Sequence, residues 1–279
     1  MSKFTIPTTS KYVEANGIRF AYRKFGKEAG VPLVFFIHFR GTMENWDPEV
    51  IESLAKDRPI ILFDNTGVGE SNGETPSTIA EMAKEAASFI HALGLQQVDV
   101  LGFSIGGFVV QELALQQPDL VRRLVLSGTA PQSGVGLKFR HDVYLASTSD
   151  DRNKALENAL FLFYSPTETS RKAGAASLER IVKQKQVESS EHARDAQLKA
   201  ILQWADRVYN QSYERLHQIK QPVLVTNGAE DIMVPTENSI ILARQLPNAQ
   251  LIIYPDAGHG HLFQYPKLFA EHVKLFIDA

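Results

Sequence analysis

The chain contains no cysteine, which excludes both disulfide bonds and thiol chemistry. It also lacks an excess of basic residues: the formal net charge is −3 at pH 7, and no basic stripe is visible. No apolar run approaches the roughly 18 residues of a membrane-spanning helix, and residues 1–7 lack the apolar stretch of a signal peptide. We therefore expect a cytoplasmic protein with neither a nucleic-acid nor a membrane partner.

The composition is that of an ordinary globular protein, with 279 residues, 44% hydrophobic and 22% charged. This length suffices for one large core, with or without an inserted subdomain. Asn16-Gly17 lies between two strand-like runs and predicts a hairpin. Short apolar runs then alternate with helical patterns, which predicts an α/β fold with a mainly parallel sheet and helices on both faces. The predicted strands of this part span residues 31–37, 59–64, 98–103, 123–127, 223–226 and 251–254.

A helical block interrupts this alternation. Residues 130–216 contain several helical periods and no convincing strand. One helix is predicted to begin with a capping box at Ser165, with Pro166 at its first position. We interpret the block as a helical lid inserted into the core. The predicted organisation is a first core part (1–129), a lid (130–216) and a second core part (217–279).

One stretch organises the rest of the chain. Residues 98–103 read as a buried strand, and a helix follows directly after Ser104. Gly102-Phe-Ser104-Ile-Gly106 is therefore the nucleophile-elbow pattern Gly-x-Ser-x-Gly in its proper context of strand, corner and helix. Small residues two positions before and after the serine let strand and helix approach each other. The alternative is an ordinary glycine-rich turn between a strand and a helix.

A serine nucleophile needs a base and a group that orients this base. Asp231 follows the predicted strand 223–226, and His259 follows the predicted strand 251–254. Parallel strands present their carboxyl ends at one edge of the sheet, where such sites lie. The order Ser104, Asp231, His259 is also the order expected on this fold. We predict a catalytic triad of these three residues.

Five motifs of the chain resemble those of the α/β-hydrolase fold family: residues 38–42, 64–71, 102–107, 228–231 and 257–259. The resemblance covers nearly the whole chain and implies a sheet of about eight strands. It implies that Ser104 is the nucleophile, His259 the general base and acid, and Asp231 its partner. It further implies an oxyanion hole formed by the backbone amide of Ile105 and by that of Phe39 (preferred) or Arg40.

Other polar residues near these motifs have simpler interpretations. Glu230 could replace Asp231 as the acid, but the loop pattern favours Asp231. His261 could replace His259, but a lid or core contact is the simpler interpretation. Asp256 is expected to shape the turn before His259. His38 is expected to support the oxyanion loop.

The sequence indicates no metal and no cofactor. Gly67 and Gly69 do not continue into a dinucleotide-binding pattern, because the third glycine is misplaced and no helix begins there. Neither a phosphate-binding Gly-x-x-x-x-Gly-Lys motif nor the His-Glu-x-x-His spacing of zinc enzymes occurs.

A serine nucleophile forms an acyl-enzyme, so we expect a small-molecule substrate with an acyl carbon. We predict hydrolysis of a small to medium, mainly apolar carboxylic ester or lactone. Hydrolysis of a C–C bond in ring-cleavage products, a cofactor-free perhydrolase (haloperoxidase) activity and a small-molecule receptor remain alternatives. Perhydrolases typically carry proline where this chain has Arg40. The predicted pocket residues are Arg40, Trp46, Phe103, Phe163 and Trp204.

Overall fold

The strands of the chain pair into one sheet. The computed structural model describes residues 6–138, 140–184, 187–206 and 213–279, and within these ranges the sheet has eight strands. In chain order they are β1 (Lys11–Ala15), β2 (Ile18–Gly26), β3 (Leu33–Phe36), β4 (Pro59–Phe63), β5 (Val98–Phe103), β6 (Val121–Ser127), β7 (Val223–Gly228) and β8 (Ala249–Tyr254). Their order across the sheet is β1-β2-β4-β3-β5-β6-β7-β8.

The sheet is mainly parallel, as predicted. β1 and β2 form the expected antiparallel hairpin, and Asn16 and Gly17 have positive φ angles of 51° and 80° at its turn. β2 also pairs antiparallel with β4. All pairs from β4 to β8 are parallel. The carboxyl ends of β5, β7 and β8 therefore lie at the same edge of the sheet.

Helices connect these strands. They are α1 (Pro48–Ala55), α2 (Ile79–Ala92), α3 (Ile105–Gln116), α4 (His141–Thr148), α5 (Ala155–Phe163), α6 (Glu168–Val182), α7 (Glu191–Trp204), α8 (Glu237–Gln245), α9 (His261–Gln264) and α10 (Pro266–Asp278). Within the described ranges, no helix is both long and apolar enough to cross a bilayer.

The core lies on both faces of the sheet, because successive strand residues point to opposite sides. In β3, Val34 and Phe36 belong to the apolar cluster shared with α2 and α3. Leu33 and Phe35 belong to the opposite cluster, which includes α1 and α10. Both faces of the central strands are thus covered, which explains their continuous apolar sequences.

The described residues between β6 and β7 form helices α4 to α7 and no strand. This is the segment that the sequence predicts to be a lid, and we use that name for residues 130–216. The predicted start of α6 is wrong by two residues. Thr167, and not Ser165, is the N-cap, because its hydroxyl accepts a hydrogen bond from the Ser170 amide while the Ser165 amide donates to the Ser170 hydroxyl.

Candidate active site

Ser104 occupies a strained corner between β5 and α3. Its φ angle is 58° and its ψ angle −122°, a conformation that residues with side chains rarely adopt. A Cβ atom at Gly102 would lie 2.5 Å from the Gly106 carbonyl oxygen, and one at Gly106 would lie 2.1 Å from the Phe36 carbonyl oxygen. Only glycine fits at these two positions. The predicted elbow geometry is therefore present.

His259 and Asp231 come together at the same edge of the sheet. Nδ1 of His259 lies 2.7 Å from Oδ2 of Asp231, and both side chains are fully buried. The other carboxylate oxygen of Asp231 accepts hydrogen bonds from the amides of Met233 and Val234, each at 2.9 Å. These amides fix the orientation of the carboxylate. Glu230, the alternative acid, is exposed.

The second ring nitrogen of His259 is buried without a hydrogen-bond partner among the described residues. Because Nδ1 faces a carboxylate, Nδ1 carries the proton of the neutral imidazole and Nε2 has a free lone pair. No hydrogen bond joins Nε2 to Ser104, which is 7% exposed. Contacts between nucleophile and base are often loose in the absence of substrate. The arrangement supplies an unpaired base at the edge that carries the serine.

The amides near Ser104 differ in what they bind. Ile105 begins α3, so its N–H has no preceding turn to donate to. The Arg40 amide donates to Oε1 of Gln197 at 2.7 Å and is therefore occupied. No acceptor for the Phe39 amide occurs among the described residues. This favours Phe39 over Arg40 as the second oxyanion donor.

Two further histidines lie close to His259 and are held neutral. Burial, together with a smaller effect of the nearby His259, lowers the pKa of His38 to about 4 and that of His261 to about 3. His38 Nδ1 lies 2.9 Å from the Phe39 carbonyl oxygen, in agreement with its predicted support of the oxyanion loop. Among the described residues, neither of these histidines has a carboxylate partner that orients its ring, as Asp231 orients that of His259.

His261 anchors the loop that carries His259. Its Nε2 lies 3.0 Å from the hydroxyls of Ser127 and Thr226, and its Nδ1 lies 3.2 Å from the His259 carbonyl oxygen. It is therefore a core contact, the simpler of its two interpretations. Asp256, with a φ angle of 48°, forms the turn before His259 as predicted.

A buried aspartate holds the oxyanion loop from the other side. Asp64 accepts hydrogen bonds from the amides of Met43 at 2.8 Å and Glu70 at 2.9 Å. Burial raises its pKa to about 6, although these two amides act in the opposite direction. The motif at residues 64–71 thus supports the oxyanion loop structurally.

Two of the predicted pocket residues, Arg40 and Phe163, line one cleft of about 350 Å³ between core and lid. The Phe163 ring packs edge-on against the His259 ring, with 5.5 Å between the centroids. The Phe163 carbonyl oxygen also accepts a hydrogen bond of 2.7 Å from the Gly260 amide. The end of α5 therefore lies directly on the histidine loop.

The structure does not place the other three predicted pocket residues on this cleft. Trp46 and Phe103 are 1% and 0% exposed, and both belong to the apolar cluster beneath the site, so they offer no surface to a substrate. Trp204 stacks on Phe108 at 5.3 Å and lines a separate surface cleft between α2, α3 and α7. These three assignments stay predictions, since aromatic character alone does not reveal which way a side chain faces.

Sequence reasoning missed the lid residues that reach the site. Gln197 binds the Arg40 amide, and Asp150 forms an ion pair with the Arg40 guanidinium at 2.5 Å. Neither residue belongs to a motif, and both are more than 100 positions away from Arg40. No local signal could have identified them.

Comparison with known proteins agrees with this geometry. An alpha/beta hydrolase fold protein from Chitinophaga pinensis is 40% identical, with a TM-score of 0.87 over 99% of this chain and 98% of that chain. A protein of Caulobacter sp. (strain K31) named as a carbamate hydrolase, RutD, is 30% identical over 84% of this chain and 85% of its own length. Est816, described as an N-acyl homoserine lactone degrading enzyme, is 25% identical, with a TM-score of 0.74 over 95% of this chain and all of that chain (100%).

The family defined by the alpha/beta hydrolase fold matches residues 32–266. This range contains the central strands, the elbow at Ser104 and the loops that carry Asp231 and His259. The chain therefore belongs to the α/β-hydrolase fold family.

Proposed function

We propose that this protein is a serine hydrolase that cleaves a carboxylic ester or lactone through an acyl-enzyme. Ser104 is the nucleophile, His259 the general base and acid, and Asp231 the group that orients the imidazole and stabilises its charged form. The substrate is a small molecule of small to medium size, and no metal or cofactor takes part.

The reaction needs two proton transfers and one charge to be stabilised. Nε2 of His259 takes the proton of the Ser104 hydroxyl as the oxygen attacks the acyl carbon. The amides of Phe39 and Ile105 hold the negative oxygen of the tetrahedral intermediate. His259 then gives its proton to the leaving alcohol, and a water molecule releases the acid by the same steps.

The observation that carries this proposal is the state of the His259 ring. One nitrogen is bound to a carboxylate that is itself held by two backbone amides, and the other is buried and unpaired. A buried nitrogen without a partner costs free energy, which is tolerated mainly at functional sites. A packing role for His259 would leave this nitrogen unexplained.

The relatives support an acyl substrate. RutD is named as a carbamate hydrolase and Est816 is described as an N-acyl homoserine lactone degrading enzyme, and carbamates and lactones both contain a carbonyl carbon. The cleft between core and lid has the volume for a substrate of modest size. It is lined by Phe163, which packs on the His259 ring, and by polar side chains such as Asp150 and Arg152, whereas Ser104, Asp231 and His259 are not among its lining residues. We infer that the acyl part lies against Phe163.

The alternative functions receive less support. A perhydrolase typically has proline where this chain has Arg40, and here the Arg40 guanidinium is bound to the lid. A receptor that binds without turnover would have no need for a base with an unpaired nitrogen beside a strained serine. No particular contact favours hydrolysis of a C–C bond.

Replacement of the nucleophile tests the proposal. We expect the purified protein to hydrolyse p-nitrophenyl esters or lactones of graded chain length in the steady state, and Ser104→Ala to lower kcat by about 10⁴-fold or more. A fluorophosphonate should modify Ser104 in the wild type, as read by peptide mass spectrometry, and leave Ser104→Ala unmodified.

An unchanged melting temperature of Ser104→Ala is the control for folding. Full activity of this variant would refute the assignment. Binding of esters without any turnover by the wild type would instead support the receptor.

A further inference from the structure

The loop after β3 has an unusual backbone at the position that follows the preferred oxyanion donor. Arg40 has a φ angle of 61°, in the left-handed region that favours glycine. Such a conformation persists only where the surrounding contacts hold it. Arg40 therefore needs partners that fix it, and the structure shows them.

The peptide unit between Phe39 and Arg40 is held on both sides. Its N–H, the Arg40 amide, donates to Oε1 of Gln197 at 2.7 Å. Its carbonyl, that of Phe39, accepts from Nδ1 of His38 at 2.9 Å. A carbonyl oxygen can only accept, so Nδ1 is the protonated nitrogen of His38.

Gln197 belongs to the lid. It lies on α7 and is 2% exposed, so its hydrogen bond is shielded from water. Polar side chains of a lid can form hydrogen bonds within the lid, but the side-chain oxygen of Gln197 accepts one from a loop of the core. The contact joins positions 157 residues apart in the chain.

The Arg40 side chain binds a second part of the lid. Its guanidinium donates to the Ser149 carbonyl oxygen at 3.2 Å and to Asp150 at 2.5 Å. Asp150 is bound at 2.6 Å by Arg194, which lies on the same helix as Gln197. Backbone and side chain of Arg40 are thus both fixed by the lid.

This arrangement restricts the movement of the neighbouring amide. The N–H of Phe39 belongs to the preceding peptide unit, which is joined to the clamped unit at the Phe39 Cα, so the clamp limits the movement of Phe39 and of its N–H. An oxyanion donor must lie within hydrogen-bond distance of the place where the charge develops. A clamp on this peptide unit therefore acts on the transition state more than on the bound substrate.

We propose that Gln197 is a positioning residue of the oxyanion hole, which holds the Phe39 amide in its working direction only while the lid helix α7 lies on the loop. The inference rests on the proposed function, because it assumes that an oxyanion forms at Ser104. It makes the lid part of the catalytic machinery through one hydrogen bond.

Two substitutions of similar size distinguish the hydrogen bond that Gln197 accepts from the packing of its side chain. Gln197→Met keeps the length of the side chain and removes the acceptor, whereas Gln197→Glu keeps an acceptor oxygen. With p-nitrophenyl acetate we expect Gln197→Met to lower kcat by about 10- to 100-fold and to leave KM within about twofold. Gln197→Glu should keep kcat within about threefold of the wild type.

A boronic acid gives a second readout. It forms a tetrahedral adduct with the serine and places an oxygen in the hole, so its inhibition constant should rise in Gln197→Met by a factor similar to the loss in kcat. Loss of packing alone would lower the melting temperature of both variants and would not separate Met from Glu.

Amide hydrogen exchange of the wild type tests the contact without any substitution, should Gln197→Met fail to fold. The Arg40 amide should be protected and the Phe39 amide should exchange faster. Rapid exchange at Arg40, or a folded Gln197→Met with the kcat and boronate affinity of the wild type, would overturn the inference. Absence of ester hydrolysis by the wild type would overturn the proposed function as well.

Discussion

The core and the lid of this protein are held by different forces. Every residue of β3, β4, β5 and β7 is buried. In the lid, α4 buries only Val143 and α5 only Leu162, while Leu145 and Leu156 are more than half exposed. Burial of apolar surface thus stabilises the core. Helices α4 and α5 have too little of it to be fixed in the same way, whereas α7 places Ala200, Ile201 and Trp204 in an apolar core cluster.

Polar contacts also attach the lid, and several of them end on the loops that carry the candidate site. Ser177 and Arg180 bind Asp47, which follows the oxyanion loop. At the other end of α6, Thr167 binds Asp256 in the turn before His259. The comparison suggests a division of labour: the core sets stability, and the lid contacts set the geometry of the site.

A cavity in the core should affect stability and spare catalysis. Leu33 is fully buried and lies at the amino end of β3, the end away from Ser104. We expect Leu33→Ala to lower the free energy of unfolding by about 2–5 kcal/mol, through lost burial and the cavity that remains. Urea unfolding measures this loss.

At a temperature where Leu33→Ala is fully folded, its kcat and KM should stay within about twofold of the wild type. A selective fall in kcat would show that the core also controls the site, and the division of labour would be wrong.

The free energy of unfolding should depend on pH through the buried imidazole of His261, which lies in the core beneath the candidate site. The pKa of His261 is about 3 in the folded protein, whereas the unfolded chain takes up this proton near pH 6.5. Between these values the unfolded state binds more protons, so stability is lost as the pH falls below 6.5. His261 alone contributes a loss of about 1.4 kcal/mol per pH unit.

His261→Gln removes this proton uptake. Between pH 6.5 and 4.5 the free energy of unfolding of this variant should therefore fall less steeply with pH than that of the wild type. The two slopes should differ by about 1.4 kcal/mol per pH unit. The stability of the variant at pH 7 does not affect this comparison. The C2 proton of His261 in the wild type should show no titration in NMR spectra down to pH 5. Parallel stability curves for the two proteins would contradict the assignment.

The difference between core and lid also explains what the sequence could predict. The strand limits of β5 and the elbow follow from local patterns: apolar residues, a serine and glycines at fixed spacing. The positions of the loops that carry Asp231 and His259 follow from the rule that parallel strands end at one edge. Each strand and helix of the core has its own local pattern of apolar residues, so each strand could be found without knowledge of its neighbours.

The hydrogen bonds and ion pairs between lid and core have no such local sequence pattern. Gln197 and Asp150 gain their roles from partners more than 100 positions away, and nothing in their own surroundings marks them. The side on which Trp46 and Phe103 lie depends on the packing of both sheet faces. The helix α1 was also not predicted, although Asp47 and Pro48 form an N-cap and a first helical position of the usual type.

Two arginines of the lid that differ in burial show how much a buried and an exposed ion pair each contribute to stability. Arg180 binds Asp47, and the two side chains are 31% and 0% exposed. Arg180→Met leaves the buried carboxylate of Asp47 with the Ser177 hydroxyl and the Glu49 amide but without its cation. We expect the free energy of unfolding to fall by about 2 kcal/mol, because an unpaired buried charge is costly. Limited proteolysis within the lid should accelerate.

The matched control is Arg152→Met, in the same lid. Arg152 pairs with Glu188, but these side chains are 82% and 71% exposed, and water already solvates both charges. Exposed ion pairs contribute at most about 1 kcal/mol, and the loss here should be below about 0.5 kcal/mol. Added salt should abolish that small difference and leave most of the Arg180 effect, since buried pairs are screened less. Equal losses in the two variants would mean that burial does not decide which polar contacts hold the lid.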